Sequence, residues 1–283
     1  MLLVFVFYLK LNDNKNSLIL IVIITKMKFT ITDLVNAEKF VHIFQHLKNF
    51  ADNINIDFMD DKIYIQGMDS AHVSLYEISL GKSFFEEYTI EADDRKEIGV
   101  NNVFLYKILN TRFPNQSIEF SYDGDPDYLN IDFNSEVKDE FNKSFQLPLM
   151  ELDIEKLHIP EIEYQADLVI TTNVLTKMID EFAIFDEKIN IKCNDEIINF
   201  DAVGVEGKMK VKLPIDDVEE YLLEEDGNMD VTYSIKHFQY MCGFNKLSDS
   251  IKMGFSDSQP MLISYEFADC FAKFYLAPSI SED

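Results

Sequence analysis

The sequence predicts an α+β protein made of two similar halves, and three observations predict it. The first is composition. Of the 283 residues, 47% are hydrophobic, with 24 Phe, 13 Tyr and no Trp, which is enough apolar side chain for a core and favours strands. That content excludes disorder, despite a net charge of −26 from 25 basic and 51 acidic residues. The second is an internal echo. Ile54-Asn55-Ile56, followed by Asp60, Asp61, Ile63 and Ile65, returns as Ile189-Asn190-Ile191, followed by Asp195, Glu196, Ile197 and Phe200. Ser117-Ile118-Glu119-Phe120 returns as Ser250-Ile251-Lys252-Met253 at nearly the same separation. The third is that both halves run through one order of elements.

In the first half, a strand at Phe29–Thr32 leads into a helix from Asp33 to Phe50, whose apolar stripe is Phe40, Val41, Phe44 and Leu47. Strands follow at Ile54–Phe58, Lys62–Gln66 and His72–Leu80. A second helix, Asn101–Leu109, carries Val103, Phe104, Ile108 and Leu109 on one side. Three more strands close the half, at Ser117–Tyr122, Tyr128–Phe133 and Lys143–Leu147. The second half repeats the order with strand Ala166–Ile170, helix Asn173–Phe182, and strands Lys188–Cys193, Ile197–Val203 and Lys208–Leu213. Helix Ile235–Phe244 and strands Ser250–Phe255, Met261–Phe267 and Cys270–Leu276 complete it. Turns are signalled by Asp123-Gly124-Asp125-Pro126 and by Glu224-Glu225-Asp226-Gly227-Asn228. Mostly antiparallel strands with two short amphipathic helices per half place the helices on one face.

These readings divide the chain into residues 27–148, a surface connector at 149–165 that is polar and interrupted by Pro160, and residues 166–283. Residues 1–26 stand apart. Their apolar runs, Leu2–Leu9 and Leu18–Thr25, are each short of the ~20 residues that span a bilayer, and no small-residue cleavage site follows. Met27 reads as the working start, with a membrane anchor as the competing reading of this extension. Cys193, Cys242 and Cys270 are widely spaced and odd in number, which argues against a disulfide framework and fits a reducing compartment.

Three segments carry a family resemblance. Gln66-Gly67-Met68-Asp69-Ser70-Ala71-His72-Val73-Ser74-Leu75 resembles an early strand and turn of the eukaryotic sliding-clamp family, that of proliferating cell nuclear antigen. Leu149-Met150-Glu151-Leu152-Asp153, with Ile159-Pro160-Glu161 and Tyr164, resembles that family's interdomain connecting loop. Tyr275-Leu276-Ala277-Pro278-Ser279-Ile280 and the acids after it resemble its C-terminal tail. The resemblance covers Met27 to Asp283. It implies two clamp domains per subunit with sheets outside and helices lining a ring, three subunits around duplex DNA, and no catalytic site. Such a ring tethers DNA polymerase and other replication and repair enzymes by their clamp-binding peptides and is placed on DNA by a clamp loader. A nuclear location follows, or a cytoplasmic replication site if the source is a large DNA virus.

The resemblance also implies three groups of site residues. Lys39, Lys48, Lys107, Arg112, Lys177, Lys236 and Lys246 would face DNA. With Asp33, Glu38, Asp180 and Glu181 as the helix acids, seven cations against four acids leave a surplus of three, so the remainder carries −29. An acidic exterior would repel DNA and favour the lined hole. Asp180 and Gly243 stand where the family usually has bases, and Asn110 replaces a lysine; His42, His46 and His237 are expected to add partial charge. Met68, His72, Val73, Leu75, Leu157, Ile159, Pro160, Tyr164, Pro260, Tyr275, Ala277 and Pro278 would form the partner-peptide pocket. Lys143–Leu147 and Lys208–Leu213 would pair edge to edge between subunits, with Phe145 as an apolar plug and Lys208, Lys210 and Lys212 alternating on one strand face, opposed by acids such as Glu140 or Glu151.

Other chemistries are set aside. His42-x-x-x-His46 has zinc-compatible spacing but no third ligand, so no metal or cofactor is expected. No GxxxxGK[ST], GxGxxG or GxSxG motif occurs, and the carboxylates form no patterned cluster, so the chain does not read as an enzyme. The competing reading is a clamp-like viral transcription factor or adaptor that tethers no polymerase.

Overall fold

A computed structural model describes residues 26–91, 96–122, 127–224 and 228–279. Residues 1–25, 92–95, 123–126, 225–227 and 280–283 lie outside the described residues, and with them fall the N-terminal extension, the expected turns at 123–126 and within 224–228, and the end of the tail.

The first half comprises strands β1 (Lys26–Ile31), β2 (Asn53–Phe58), β3 (Lys62–Met68), β4 (Ser74–Gly81), β5 (Glu87–Glu91), β6 (Lys96–Asn101), β7 (Ser117–Tyr122), β8 (Tyr128–Asn134) and β9 (Lys143–Met150). Its helices are α1 (Leu34–Leu47) and α2 (Asn102–Leu109). The second half repeats the plan with β10 (Ala166–Thr171), α3 (Thr172–Phe182), β11 (Lys188–Cys193), β12 (Ile197–Gly204), β13 (Gly207–Pro214), β14 (Glu220–Leu223) and β15 (Met229–Ser234). It ends with α4 (Ile235–Cys242), β16 (Ser250–Phe255), β17 (Met261–Phe267) and β18 (Cys270–Leu276).

The strand order shows the doubling directly. One ladder runs β14-β10-β16-β17-β18-β4-β3-β2-β6-β9-β8-β7-β1-β5, and a separate sheet runs β13-β12-β11-β15. The block β5-β1-β7-β8-β9 and the block β14-β10-β16-β17-β18 differ by nine strand positions throughout. So do β4-β3-β2-β6 and β13-β12-β11-β15. The halves join where β18 pairs antiparallel with β4, from Phe271 opposite Ser79 to Leu276 opposite Ser74. All pairings are antiparallel, and the α+β architecture read from the sequence is the one observed.

Alternation fixes which face is buried. β7 and β8 bury every second residue, Ile118, Phe120 and Tyr122 against Leu129, Ile131 and Phe133. Phe29 on β1 stacks on Phe120 at 4.7 Å and meets Phe40 of α1 at 5.8 Å, edge to face. α1 opens on Asp33, whose carboxylate accepts from Asn36 N–H at 2.8 Å. It ends at Leu47 rather than Phe50, because Asn49 and Phe50 bond back three residues in a tightened last turn. Phe50 still reaches the core, 5.4 Å from Phe274 of the second half.

Four strands escape the sequence reading, and each has a reason. β5 and β14 are edge strands of only five and four residues, β6 contains a mid-strand Gly99, and β15 follows directly on the expected turn segment Glu224–Asn228. The expected strand from His72 begins at Ser74 instead. His72 has φ 56, a left-handed turn conformation that ends the extended run.

Candidate functional site

The helix face places four of the seven expected cations in the open: Lys107, Lys177, Lys236 and Lys246. Lys177 lies 3.9 Å from Glu181, one turn on. Lys39 and Lys48 are half-buried, their ammonium groups 4.8 Å from the Phe267 ring and 4.5 Å from the Tyr106 ring. Arg112 is turned away. Its guanidinium donates to the carbonyls of Phe113, Pro114 and Gln116, at 3.1, 2.9 and 2.7 Å, and so holds the loop after α2. Burial lowers its pKa against the pull of Glu38 and Glu140. Between the lysines the first helical turns expose Val35, Phe104 and Val174.

The histidine expectation is corrected. His42 and His46 lie in the seam between α1 and α4, and burial holds both imidazoles down to about 4, so neither carries charge at neutral pH. The same seam explains Gly243, since a Cβ there would sit 2.4 Å from His46 Nδ1.

Three of the residues expected to meet a partner peptide share one sheet face. Register sets Met68, Leu75 and Tyr275 side by side across β3, β4 and β18. Ala277 N–H donates to the Val73 carbonyl at 3.0 Å and brings the tail against the start of β4. Burial, then Glu77, pushes the Tyr275 phenol up to about 12.

The turn before this row is organised by Asp69. Its carboxylate accepts from Ala71 N–H at 3.0 Å, Val73 N–H at 2.9 Å, Ser74 N–H at 2.6 Å and the Ser74 hydroxyl at 3.1 Å. Burial pushes the Asp69 carboxyl up, but these donors outweigh it and hold the group below the usual carboxylate range. His72 is exposed on this turn, and His237 Nε2 of α4 lies 3.5 Å from Asp69 Oδ2.

The connector is tied over the row at three points. Gln66 both donates to the Leu157 carbonyl at 3.0 Å and accepts from Leu157 N–H at 2.8 Å, copying a strand pair with its side-chain amide. Lys156 reaches Asp57 at 2.6 Å and also pairs with Glu97. Tyr164 lies on Gly254, where a Cβ would come within 2.4 Å of its ring. Leu157 and Pro160 are exposed; Ile159, Pro260 and Pro278 are half-buried around this face. Gln66, Asp69, Lys156 and Gly254 were not assigned from sequence. Only Asp69 had a local signal, an Asx turn opening Asp69-Ser70-Ala71-His72.

The two strands expected at a subunit joint each keep an unpaired edge. β9 pairs with β8 along its length and touches β6 only at Leu149 and Met150, while β13 pairs only with β12. Phe145 is half-buried, its ring 5.5 Å from Phe133 in its own half. Lys208, Lys210 and Lys212 are exposed on the sheet face, and Lys210 pairs with Asp201 at 3.2 Å. Glu140 accepts from Asn115 Nδ2 at 2.9 Å, and Glu151 is exposed.

A doubled antiparallel unit with helices on one side, an inter-half connector and two open strand edges defines the DNA-clamp class of protein. The profile of proliferating cell nuclear antigen, N-terminal domain, matches residues 29–156, and that of the C-terminal domain matches 158–280. The chain belongs to the proliferating cell nuclear antigen family and is a sliding clamp, in the class of DNA-binding processivity factors of replication. It is 28% identical over 267 residues to proliferating cell nuclear antigen 1 of Plasmodium falciparum, covering 88% of this chain and 96% of that one. It is 29% identical over 246 residues to proliferating cell nuclear antigen of Chaetomium thermophilum, covering 84% and 93%. The crystal structure of the Entamoeba histolytica protein of that name superposes with a TM-score of 0.79 at 21% identity, over 90% of this chain and 99% of that one.

Proposed function

We propose that the chain acts without catalysis, as a homotrimeric ring around duplex DNA that tethers DNA polymerase and other enzymes through the face beneath the connector. In this reading residues 27–148 and 166–283 are the two ring units and 149–165 the strap between them. The exposed lysines Lys107, Lys177, Lys236 and Lys246, on or just after α2, α3 and α4, meet phosphate without reading sequence. A clamp loader places the ring on DNA, in the nucleus.

One observation carries the tether: Gln66 fixes the connector at Leu157 beside the apolar row Met68–Leu75–Tyr275, whose side chains are half-buried rather than fully covered. A partner's aromatic anchors would bury there, and backbone at the Ala277 end would take polar contacts. The test is fluorescence anisotropy with a labelled clamp-binding peptide. Wild type binds, and Tyr275→Ala weakens binding about 10- to 30-fold, the loss expected for an anchor-bearing residue. No binding by wild type, or no change in the variant, rejects the tether.

A further inference from the structure

The exterior is not uniformly acidic. On the sheet β13-β12-β11-β15, register sets Lys212, Asn199, Lys192 and Asp230 in one row. The next row is Lys210, Asp201, Asn190 and Thr232, and beyond it Lys208 pairs with Val203 and Lys188 with Ser234. The opposite face is core, built from residues such as Ile189, Ile191, Ile198 and Phe200. Five lysines against Asp201, Asp230 and Asp186, which lines the same cleft, give this face a surplus of two positive charges on a chain of net −26. Lys210 is paired with Asp201 at 3.2 Å and Lys192 with Asp230 at 2.7 Å. Lys188, Lys208 and Lys212 are exposed and enter no ion pair among the described residues. The lysine columns of β13 and β11 stand two strands apart, about 9.6 Å. A cleft of ≈ 520 Å³ lies over β12 between them.

We propose that this face is a second nucleic-acid contact, which binds the phosphate backbone of duplex DNA lying against the outside of the molecule. The residue types select the partner. Lys, Asn, Thr and Ser are those that meet phosphate oxygens. The face holds no aromatic side chain on which the bases of a single strand would stack. Val203 is its one apolar residue, so a peptide finds no row of anchors there. Asn190 Nδ2 already donates to Asp230 and Thr232, at 2.7 and 3.1 Å, and its Oδ1 is buried, so the amide is not offered to base edges. Against a repelling exterior, this is a local reversal of field that would hold DNA not yet threaded. The contact does not rest on ring closure or on the peptide groove.

Covalently closed circular duplex DNA without a loader separates the two modes, because a closed ring cannot thread onto it. Affinity of the full chain is measured from 50 to 200 mM salt. Three unpaired lysines predict a slope of about −2.7 in log K against log salt, an affinity loss of about 40-fold over that range. Lys208→Gln/Lys212→Gln is expected to flatten the slope by about 2, and Lys188→Gln by about 1, while Lys138→Gln, exposed on the loop between β8 and β9, leaves it unchanged. Lys188 is on β11, away from the open edge, so its variant decides the matter even if the double variant alters assembly. Absence of wild-type binding, or sheet variants that bind with the wild-type slope, overturns the proposal. Equal binding of a polyglutamate of matched charge also overturns it, in favour of an acidic-peptide site.

Discussion

His42 is 5% exposed, and among the described residues neither ring nitrogen meets a partner in good hydrogen-bonding geometry. Its ring lies 4.4 Å from that of His46, which in turn lies 5.7 Å from Phe244 of the second half. Burial first, then the charge of Lys246, pushes His42 down to about 4, against weaker pulls from the Gly243 backbone and Gln45. Burial does the same to His46, helped by His42, Lys48 and Lys246. The unfolded chain protonates near 6.5, whereas the folded seam stays neutral to about 4. Between those values the unfolded state binds more protons, so stability falls as pH falls through this window and is indifferent to these groups above it. Replacing His42 by Leu removes one such group and two buried ring nitrogens at similar volume. Urea midpoints at pH 7 and pH 5 are expected to drop clearly in wild type and less in His42→Leu. Equal drops would locate the acid sensitivity elsewhere.

At the scale of elements, the connector has no regular structure of its own, so its place depends on side chains from strands it does not follow in sequence. Gln66 meets Leu157 across 91 residues, and Lys156 meets Asp57 across 99. Removing the Gln66 amide forfeits two hydrogen bonds and leaves the Leu157 backbone to water, a local cost of about 1–3 kcal/mol. Gln66→Ala is therefore expected to speed amide exchange at residues 154–160 and to weaken clamp-binding peptide about 5- to 100-fold, with the global unfolding midpoint nearly unchanged. Unchanged exchange would mean that Lys156 and Tyr164 hold the strap unaided. The same contacts explain what was legible beforehand. Helices and central strands carry their period within a dozen residues, and the apolar row sits in short recognisable segments. The anchors do not, because a glutamine or glycine signals nothing until the fold delivers Leu157 or Tyr164 to it. The edge strands β5 and β14 were illegible for a related reason: at five and four residues they are too short to set a period of their own.

For the whole molecule, the doubling supplies the argument for assembly. β18 of the second half pairs with β4 of the first, and under the nine-position correspondence their counterparts are β9 and β13. Among the described residues both keep an open edge, as do the terminal strands β5, β14 and β15, but only β9 and β13 correspond to the pair that joins the halves, so the internal joint is a template for a joint between chains. The pairing this implies is head to tail, β13 of one chain on β9 of the next. A joint of β13 with β13 would instead set two columns of Lys208, Lys210 and Lys212 side by side, whereas β9 offers Ser144, Gln146 and Pro148 on its outward positions. Heterologous joints either close into a ring or run on as a filament. If the joint between chains repeats the geometry of the joint within them, every copy adds two equal steps, and closure fixes a whole number of chains. Light scattering of the full chain, and of the chain from Met27, is expected to give a mass near three subunits that does not change over a wide range of concentration. A dimer would indicate a like-with-like joint, mass growing with concentration would indicate an open filament, and a monomer throughout would remove encirclement while leaving the peptide groove to be judged by its own binding measurement.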